Sequence, residues 1–197
     1  TSVWTEIGEG LQVLKQVPSV RGAMLHLVLL YSLLAALYVL ALQLAALIES
    51  LGPSGFGALL AMSGVGMAIG AVVIAQAGHR FSRRILSATG LGTITWTLVL
   101  LSQLRGSLVF TLSLCGILGV GAALVAIPAQ TTIQEETPES ERGRVFGLQN
   151  NLINIALSLP LVLAGTLVSS IGLQPVLLLL AGLALTAALI ERPWQRC

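Results

Sequence analysis

Long apolar runs, separated by short stretches of charged residues, glycine and proline, dominate this chain. The runs are unbroken rather than alternating, and Ala and Leu prevail over β-branched residues, so the pattern predicts helices and not strands. A helix needs about 20 residues to cross the hydrocarbon core of a membrane. Five runs reach that length, and the last, at 16 residues, is expected to extend over Leu173, Gln174 and the Glu191–Arg192 end. The pattern predicts an all-α integral membrane protein, a six-helix transmembrane bundle with spans at 24–48, 54–77, 85–104, 107–133, 145–171 and 175–190.

Residues 1–21 follow a different pattern. Trp4, Ile7, Leu11 and Leu14 recur at spacings of three and four, with charged residues on the other faces. This periodicity predicts an amphipathic linker helix on the cytoplasmic membrane surface, ended by Pro18. An ordinary linker with some helical character fits the same residues. The predicted organisation is therefore a linker over 1–21 and a six-span bundle over 22–197.

The composition supports a membrane protein. Of the 197 residues, 55% are hydrophobic and 9% are charged, whereas a soluble domain carries roughly 25% charged residues. Too few charges remain to cover a soluble surface, which excludes a soluble enzyme, a disordered chain and a nucleic-acid binder. The net charge of +2 is too small to indicate an anionic partner. Cys115 and Cys197 form no disulfide framework and have no metal-ligand spacing, so neither a metal nor a cofactor is expected.

The basic residues predict the orientation of the spans. Nine of the ten lie at or beyond the span ends on one side, and Arg105 alone lies on the other. Because basic residues accumulate on the cytoplasmic side, both termini are expected in the cytoplasm. The start at Thr1, without a charged leader, is expected for a piece of a longer protein or a processed product.

Polar residues inside the spans point to a possible cavity. Asn150, Asn154 and Ser158 fall on one stripe of the fifth helix, where amides are costly unless they meet partners or water. The stripe is expected to face the bundle interior and line a cavity, while hydrogen bonding between helices explains it equally well. Tyr31 and Tyr38, seven residues apart, could stack on a hydrophobic ligand or serve packing. The cavity candidates are Tyr31, Tyr38, Gln130, Asn150, Asn154 and Ser158.

Small residues and prolines suggest how the helices pack. Gly66 and Gly70 form a G-x-x-x-G step, and packing within the same chain is favoured over dimerisation. The fourth helix carries a glycine cluster at 116, 119 and 121. The run Thr137-Pro138-Glu139 predicts the start of the fifth helix, with the Thr137 hydroxyl as its cap.

Three stretches of the chain carry a family resemblance. They are residues 6–14 with Pro18 and Arg21, then Gly66 and Gly70 with the basic run 79–84, and residues 141–147 leading into the fifth span. Together they resemble the C-terminal half of a major facilitator superfamily transporter, and the resemblance covers essentially the whole chain. It is strongest to the exporter branch of enterobactin-exporter-like and macrolide-efflux-like proteins. The middle stretch departs from the fuller superfamily loop motif by lacking an Asp.

The resemblance implies that the six spans correspond to helices seven to twelve of a twelve-helix transporter, built from two three-helix inverted repeats. The first, second, fourth and fifth spans would line the central cavity, and the third and sixth would be peripheral. The implied location is the bacterial inner membrane. The implied partners are the missing N-terminal six-helix half or a second copy, a small-molecule substrate and the lipid bilayer. The implied cytoplasmic gating-loop residues are Gly70, Arg80, Arg83, Arg84, Arg142 and Arg144.

The leading functional hypothesis is therefore half of a secondary transporter that exports amphipathic small molecules by alternating access, not an enzyme. A non-transporting scaffold or regulatory subunit is an alternative. An intramembrane serine protease is a distant one, because Ser63 is the sole tempting nucleophile and the histidines lie near the inner membrane edge. No carboxylate lies deep in a span, so a proton-coupling group is expected outside this chain.

Overall fold

The computed structural model describes residues 14, 16–48, 50–103 and 107–190, and six α-helices lie in these ranges. Short 3₁₀ turns over Pro53–Gly55, Gly78–Arg80 and Glu139–Glu141 precede or follow them. Within the described ranges there is no strand, so the predicted all-α fold is confirmed. The helices are α1 (Pro18–Ala46), α2 (Phe56–Ala77), α3 (Arg83–Gln103), α4 (Leu108–Glu136), α5 (Arg142–Ile171) and α6 (Leu173–Ile190).

The lengths of these helices suit a membrane. Among the described residues, α1 to α5 are long and apolar enough to cross one, and α6 is a shorter apolar helix. The helix α6 begins at Leu173 and so includes both Leu173 and Gln174. The helix α1 begins at Pro18 rather than at Met24, because the fixed φ and missing N–H of proline suit a first helical turn. Most of the predicted linker helix lies outside the described residues.

The connection between α4 and α5 differs from the prediction. Thr137 is the C-terminal cap of α4, and its hydroxyl donates to the Ile133 carbonyl at 2.5 Å. The following 3₁₀ turn, Glu139–Glu141, has no side-chain cap, and α5 begins after it at Arg142. The prediction that Thr137 caps the fifth helix is wrong, because a threonine at a helix end can equally bond back to the preceding turn.

The helix α4 occupies the centre of the bundle. It packs against α1, α2 and α3, while α5 packs mainly on α1 and α6 packs mainly on α3. One apolar cluster joins α1, α3, α4, α5 and α6, and a second joins the first half of α1 to the end of α4 and the start of α5. The helices α2 and α5 are the least buried of the five long helices. They leave the largest helical surfaces uncovered by this chain.

Glycines bring the helix backbones around α4 into contact. Gly66 and Gly70 of α2 face Gly116 and Ala123 of α4. On the other side of α4, a Cβ on Gly90 of α3 would lie 2.8 Å from the Gly121 carbonyl oxygen. The prediction that the G-x-x-x-G glycines pack helices of the same chain is confirmed.

Candidate functional site

A charged cluster ties the first turn of α3 to the last turn of α4. The Arg83 Nη1 donates to Thr132 Oγ1 at 3.2 Å and to Glu136 Oε1 at 3.4 Å, and Nη2 donates to Glu135. Carboxylates at a helix C-terminus oppose the helix dipole. The Arg83 guanidinium offsets that repulsion and couples the connection between α2 and α3 to the end of α4.

The other implied gating-loop residues have different surroundings. Arg142 and Arg144 pair with glutamates in their own turn, Glu139 at 3.6 Å and Glu141 at 2.9 Å. Both are i,i+3 contacts at the start of α5, and such local pairs contribute little stability where they are exposed. Their gating role stays a prediction.

The remaining gating-loop candidates are Gly70, Arg80 and Arg84. A Cβ on Gly70 would lie 2.7 Å from the Ala123 Cβ, so this glycine lets α2 approach α4 closely. Arg80 is exposed on the 3₁₀ turn after α2, and Arg84 is half-buried at the start of α3. Of the gating candidates, Arg83 has the best-defined bridge between two helices.

A buried amide pair joins α4 to α5 near the end of the bundle where α4 connects to α5. Gln149 Nε2 donates to Gln130 Oε1 at 2.7 Å. Gln149 is 8% exposed, and its Oε1 has no hydrogen-bond partner among the described residues. The pair lies beside the apolar cluster against which Tyr31 packs. Two cavity candidates, Gln130 and Tyr31, therefore lie in the same region of the bundle.

Gln149 was missing from the predicted cavity set, although it adjoins Asn150 in the chain. The signal that identifies it is the apolar spacing of α5. Val145, Leu148 and Ala156 form the buried face of the helix, and Gln149 falls on that face. A polar residue in a buried helical stripe needs a partner, which Gln130 supplies.

The second tyrosine has an aromatic neighbour. The rings of Tyr38 and Phe56 meet edge to face, with centroids 5.9 Å apart and an interplanar angle of 88°. Such pairs stabilise by about 0.5–1.5 kcal/mol beyond their burial. Tyr38 is still 45% exposed, so part of its ring remains open to another molecule.

The polar stripe of α5 is not covered by the described residues of this chain. Asn150, Asn154 and Ser158 are all exposed, and the Ser158 hydroxyl donates to the Asn154 carbonyl at 2.8 Å. The described part of this chain therefore does not bury the stripe, and its place beside Tyr31, Tyr38 and Gln130 stays a prediction. The residues of α5 that are buried include Val145 and Leu148, which pack in an apolar cluster with α1 and α4. A cavity-lining role for the stripe stays a prediction.

No group of three or more His, Cys, Asp or Glu side chains suited to a metal ion occurs in the part of the chain that the structure describes.

Long apolar helices, a bundle held by close glycine contacts and an uncovered polar stripe define a polytopic helical membrane protein. Comparison with protein families matches residues 24–193 to the Major Facilitator Superfamily. The chain belongs to this superfamily, whose members are generally membrane transporters rather than enzymes. A search of curated protein sequences finds no match to the chain.

Proposed function

We propose that this chain is the six-helix C-terminal half of a secondary transporter, and that its uncovered α2 and α5 surfaces face the other half. The observation that carries the proposal is the polar stripe of α5. Asn150, Asn154 and Ser158 are exposed along a helix long enough to span the membrane. Unpaired amides in lipid are unfavourable, so this stripe is expected to meet water or a partner surface.

The exposed surface of α2 suits a closely packed partner helix. Gly57, Ala61, Gly64 and Ala68 lie at spacings of three and four, and all are exposed. No atom lies within 4 Å of a Cβ built on Gly57 or Gly64. Small residues allow close helix approach in lipid. This ridge supports docking of a separately encoded N-terminal half or a second copy of the chain.

The expected substrate is an amphipathic small molecule of the drug or siderophore type, moved outward by alternating access. The candidate lining combines aromatic rings at Tyr31 and Tyr38 with amides at Gln130, Asn150 and Asn154. Mixed apolar and hydrogen-bonding walls are typical of small-molecule sites. In the superfamily the two halves are related by an axis along the membrane normal and the substrate binds between them.

The Arg83 cluster is the best candidate for the cytoplasmic gating contact. Arg83 binds both Glu135 and Glu136 of α4, so a movement of the α2–α3 connection would break or form charged contacts. All three side chains are partly exposed. Such a contact is weak enough to be exchanged during a conformational cycle.

Reconstitution into vesicles tests the proposal. With Cys115 and Cys197 replaced by Ala, the Asn154→Cys chain should cross-link to a second copy or to a co-expressed half, and should export dye when so paired. The matched control is Ile155→Cys, which is also exposed but lies about 100° around the same helix. It should cross-link much less.

Dye efflux by a demonstrably monomeric chain would contradict the half-transporter proposal. Pairing through Asn154→Cys without transport of any amphipathic dye would favour the scaffold alternative.

A further inference from the structure

A cavity of about 470 Å³ lies at the end of the bundle where α5 turns into α6. Its walls include Ile48, Leu101 and Leu177, which are 2%, 4% and 0% exposed. At its mouth are Leu47 and Ile171, which are 51% and 47% exposed. The volume falls within the range of about 300–1,000 Å³ that small-molecule sites occupy. The cavity is thus deep, and its mouth opens at the bundle surface.

The lining of this cavity favours an apolar occupant. No Lys, Arg, His, Asp or Glu is among the described residues that line it. The Ser102 hydroxyl donates to the Val99 carbonyl at 2.6 Å, and the Thr111 hydroxyl donates to the Ser107 carbonyl at 2.9 Å. Both protons are therefore used within their own helices. Gln174 is the third polar residue of the described lining, and apart from Gly172 the other lining residues are Leu, Ile and Pro.

The cavity exists because α6 packs mainly on α3 and makes few contacts with α1. Between α3 and α4, Gly90 and Gly121 let the two backbones touch. Gly182 of α6 makes no comparable approach, since no atom lies within 4 Å of a Cβ built on it. The turn at Gly172, with φ of 86°, directs the start of α6 across the end of the bundle toward α3. The ends of α1 and α3 are left apart from the α5–α6 turn, and the cavity fills that space.

We propose that this cavity binds an acyl chain of a phospholipid from the adjoining leaflet. The lining residues lie at helix ends, at the depth where a lipid headgroup meets its chains. The mouth at Leu47 and Ile171 is exposed, and hydrocarbon matches the leucine, isoleucine and proline side chains that make up most of the described lining. The bound chain occupies the space between α1 and α6 that no glycine contact closes. This site is separate from the α2 and α5 surfaces, and it requires no transport activity.

Lipid retention by the full chain tests the proposal. The chain is purified in detergent, supplied with palmitoyl-oleoyl phosphatidylethanolamine, delipidated, and examined by native mass spectrometry. The unmodified chain should retain a phospholipid. Leu47→Trp, which places an indole in the mouth, should retain it at least about tenfold less, and Leu42→Trp should not differ from the unmodified chain. Leu42 is exposed on α1, five residues before Leu47, and is not among the described residues that line the cavity.

A second matched pair of variants keeps the test valid if one of the tryptophan variants fails to fold. Ile171→Trp should lose the phospholipid, and Leu167→Trp, one turn earlier on α5 and 40% exposed, should keep it. Circular dichroism identifies any variant that has not folded. Absence of retained phospholipid in the unmodified chain, or equal retention by both members of both pairs, would overturn the proposal. If the chain binds free palmitate but retains no phospholipid, the assignment to a membrane lipid is overturned.

Discussion

Gly66 and Gly116 lie so close that a Cβ on Gly66 would sit 1.9 Å from the Gly116 carbonyl oxygen. The backbones of α2 and α4 therefore touch, and no side chain can be placed between them. In lipid, where apolar side chains gain little by leaving the bilayer, such close packing is a main source of helix association. The central position of α4 depends on glycines facing both α2 and α3.

Gly66→Ala should destabilise the bundle by about 1–3 kcal/mol or more, because the added methyl meets rigid backbone and forces the helices apart. Gly64→Ala is the matched control two residues earlier, where a Cβ meets nothing within 4 Å. It should change the free energy of unfolding by less than about 0.5 kcal/mol. Unfolding in increasing SDS, followed by circular dichroism, measures both. Equal losses from the two variants would contradict this account of the α2–α4 contact.

The α3–α4 contact allows the same comparison with a smaller expected effect. A Cβ on Gly90 would lie 2.8 Å from the Gly121 carbonyl oxygen and 2.8 Å from the Val125 Cγ2, and the valine methyl can shift. Gly90→Ala should therefore destabilise the bundle by about 1 kcal/mol. Gly92→Ala, where nothing lies within 4 Å, should have no measurable effect. A larger loss from Gly92→Ala than from Gly90→Ala would contradict the assigned helix face.

The buried amide pair predicts an unequal response to removal of its two members. Gln130→Leu leaves both polar atoms of Gln149 without a partner and should destabilise by about 1–3 kcal/mol. Gln149→Leu removes an already unpartnered oxygen and should have a smaller effect, because the half-buried Gln130 stays closer to solvent. The double Leu variant should be close to the unmodified chain. A double-mutant cycle of unfolding free energies tests this, and a larger loss from Gln149→Leu would contradict it.

Arg83→Gln should lower the unfolding free energy by less than about 1 kcal/mol, since its ion pairs are exposed to solvent. The loss should shrink at high salt, because screening weakens the charge pairs of the unmodified chain. Arg80→Gln, at an exposed position on the neighbouring turn, is the control and should have no effect. The double variant Arg83→Glu with Glu135→Arg exchanges the two charges and should recover part of the lost unfolding free energy. A salt-independent loss would show that packing and not charge is responsible.

The predicted orientation can be tested with single cysteines in a chain whose Cys115 and Cys197 are replaced by Ala. Ser82 and Ser140 lie in the connections after α2 and α4, and Ser54 lies before α2. All three positions are exposed in the structure. An impermeant thiol reagent added outside intact cells should label Ser54→Cys and leave Ser82→Cys and Ser140→Cys unlabelled. Outside labelling of Ser82→Cys would reverse the orientation.

The candidate site was only partly predictable from sequence. Helical spacing placed Asn150, Asn154 and Ser158 on one stripe, and the structure keeps them on one exposed face. Spacing does not say which neighbour a stripe meets, because a periodic pattern describes one helix alone. The hydrogen bond to Gln130 comes from the adjacent Gln149, which the spacing of the polar stripe does not include.

The sequence by itself determined the helical membrane fold. Apolar runs of membrane-spanning length leave few alternatives, because every backbone polar group in lipid must be satisfied within its own helix. It also predicted that Gly66 and Gly70 pack within the chain, since small residues are what close helix approach requires.

Only the tertiary structure decided which helices meet. The central place of α4, the bridge from Arg83 to Glu135 and Glu136, and the gap beside α6 each depend on contacts between residues far apart in the chain. Such contacts depend on how several helix surfaces fit at once. No local pattern records that fit. The helix that lies opposite decides whether a glycine packs closely or faces solvent, and whether an arginine forms an ion pair.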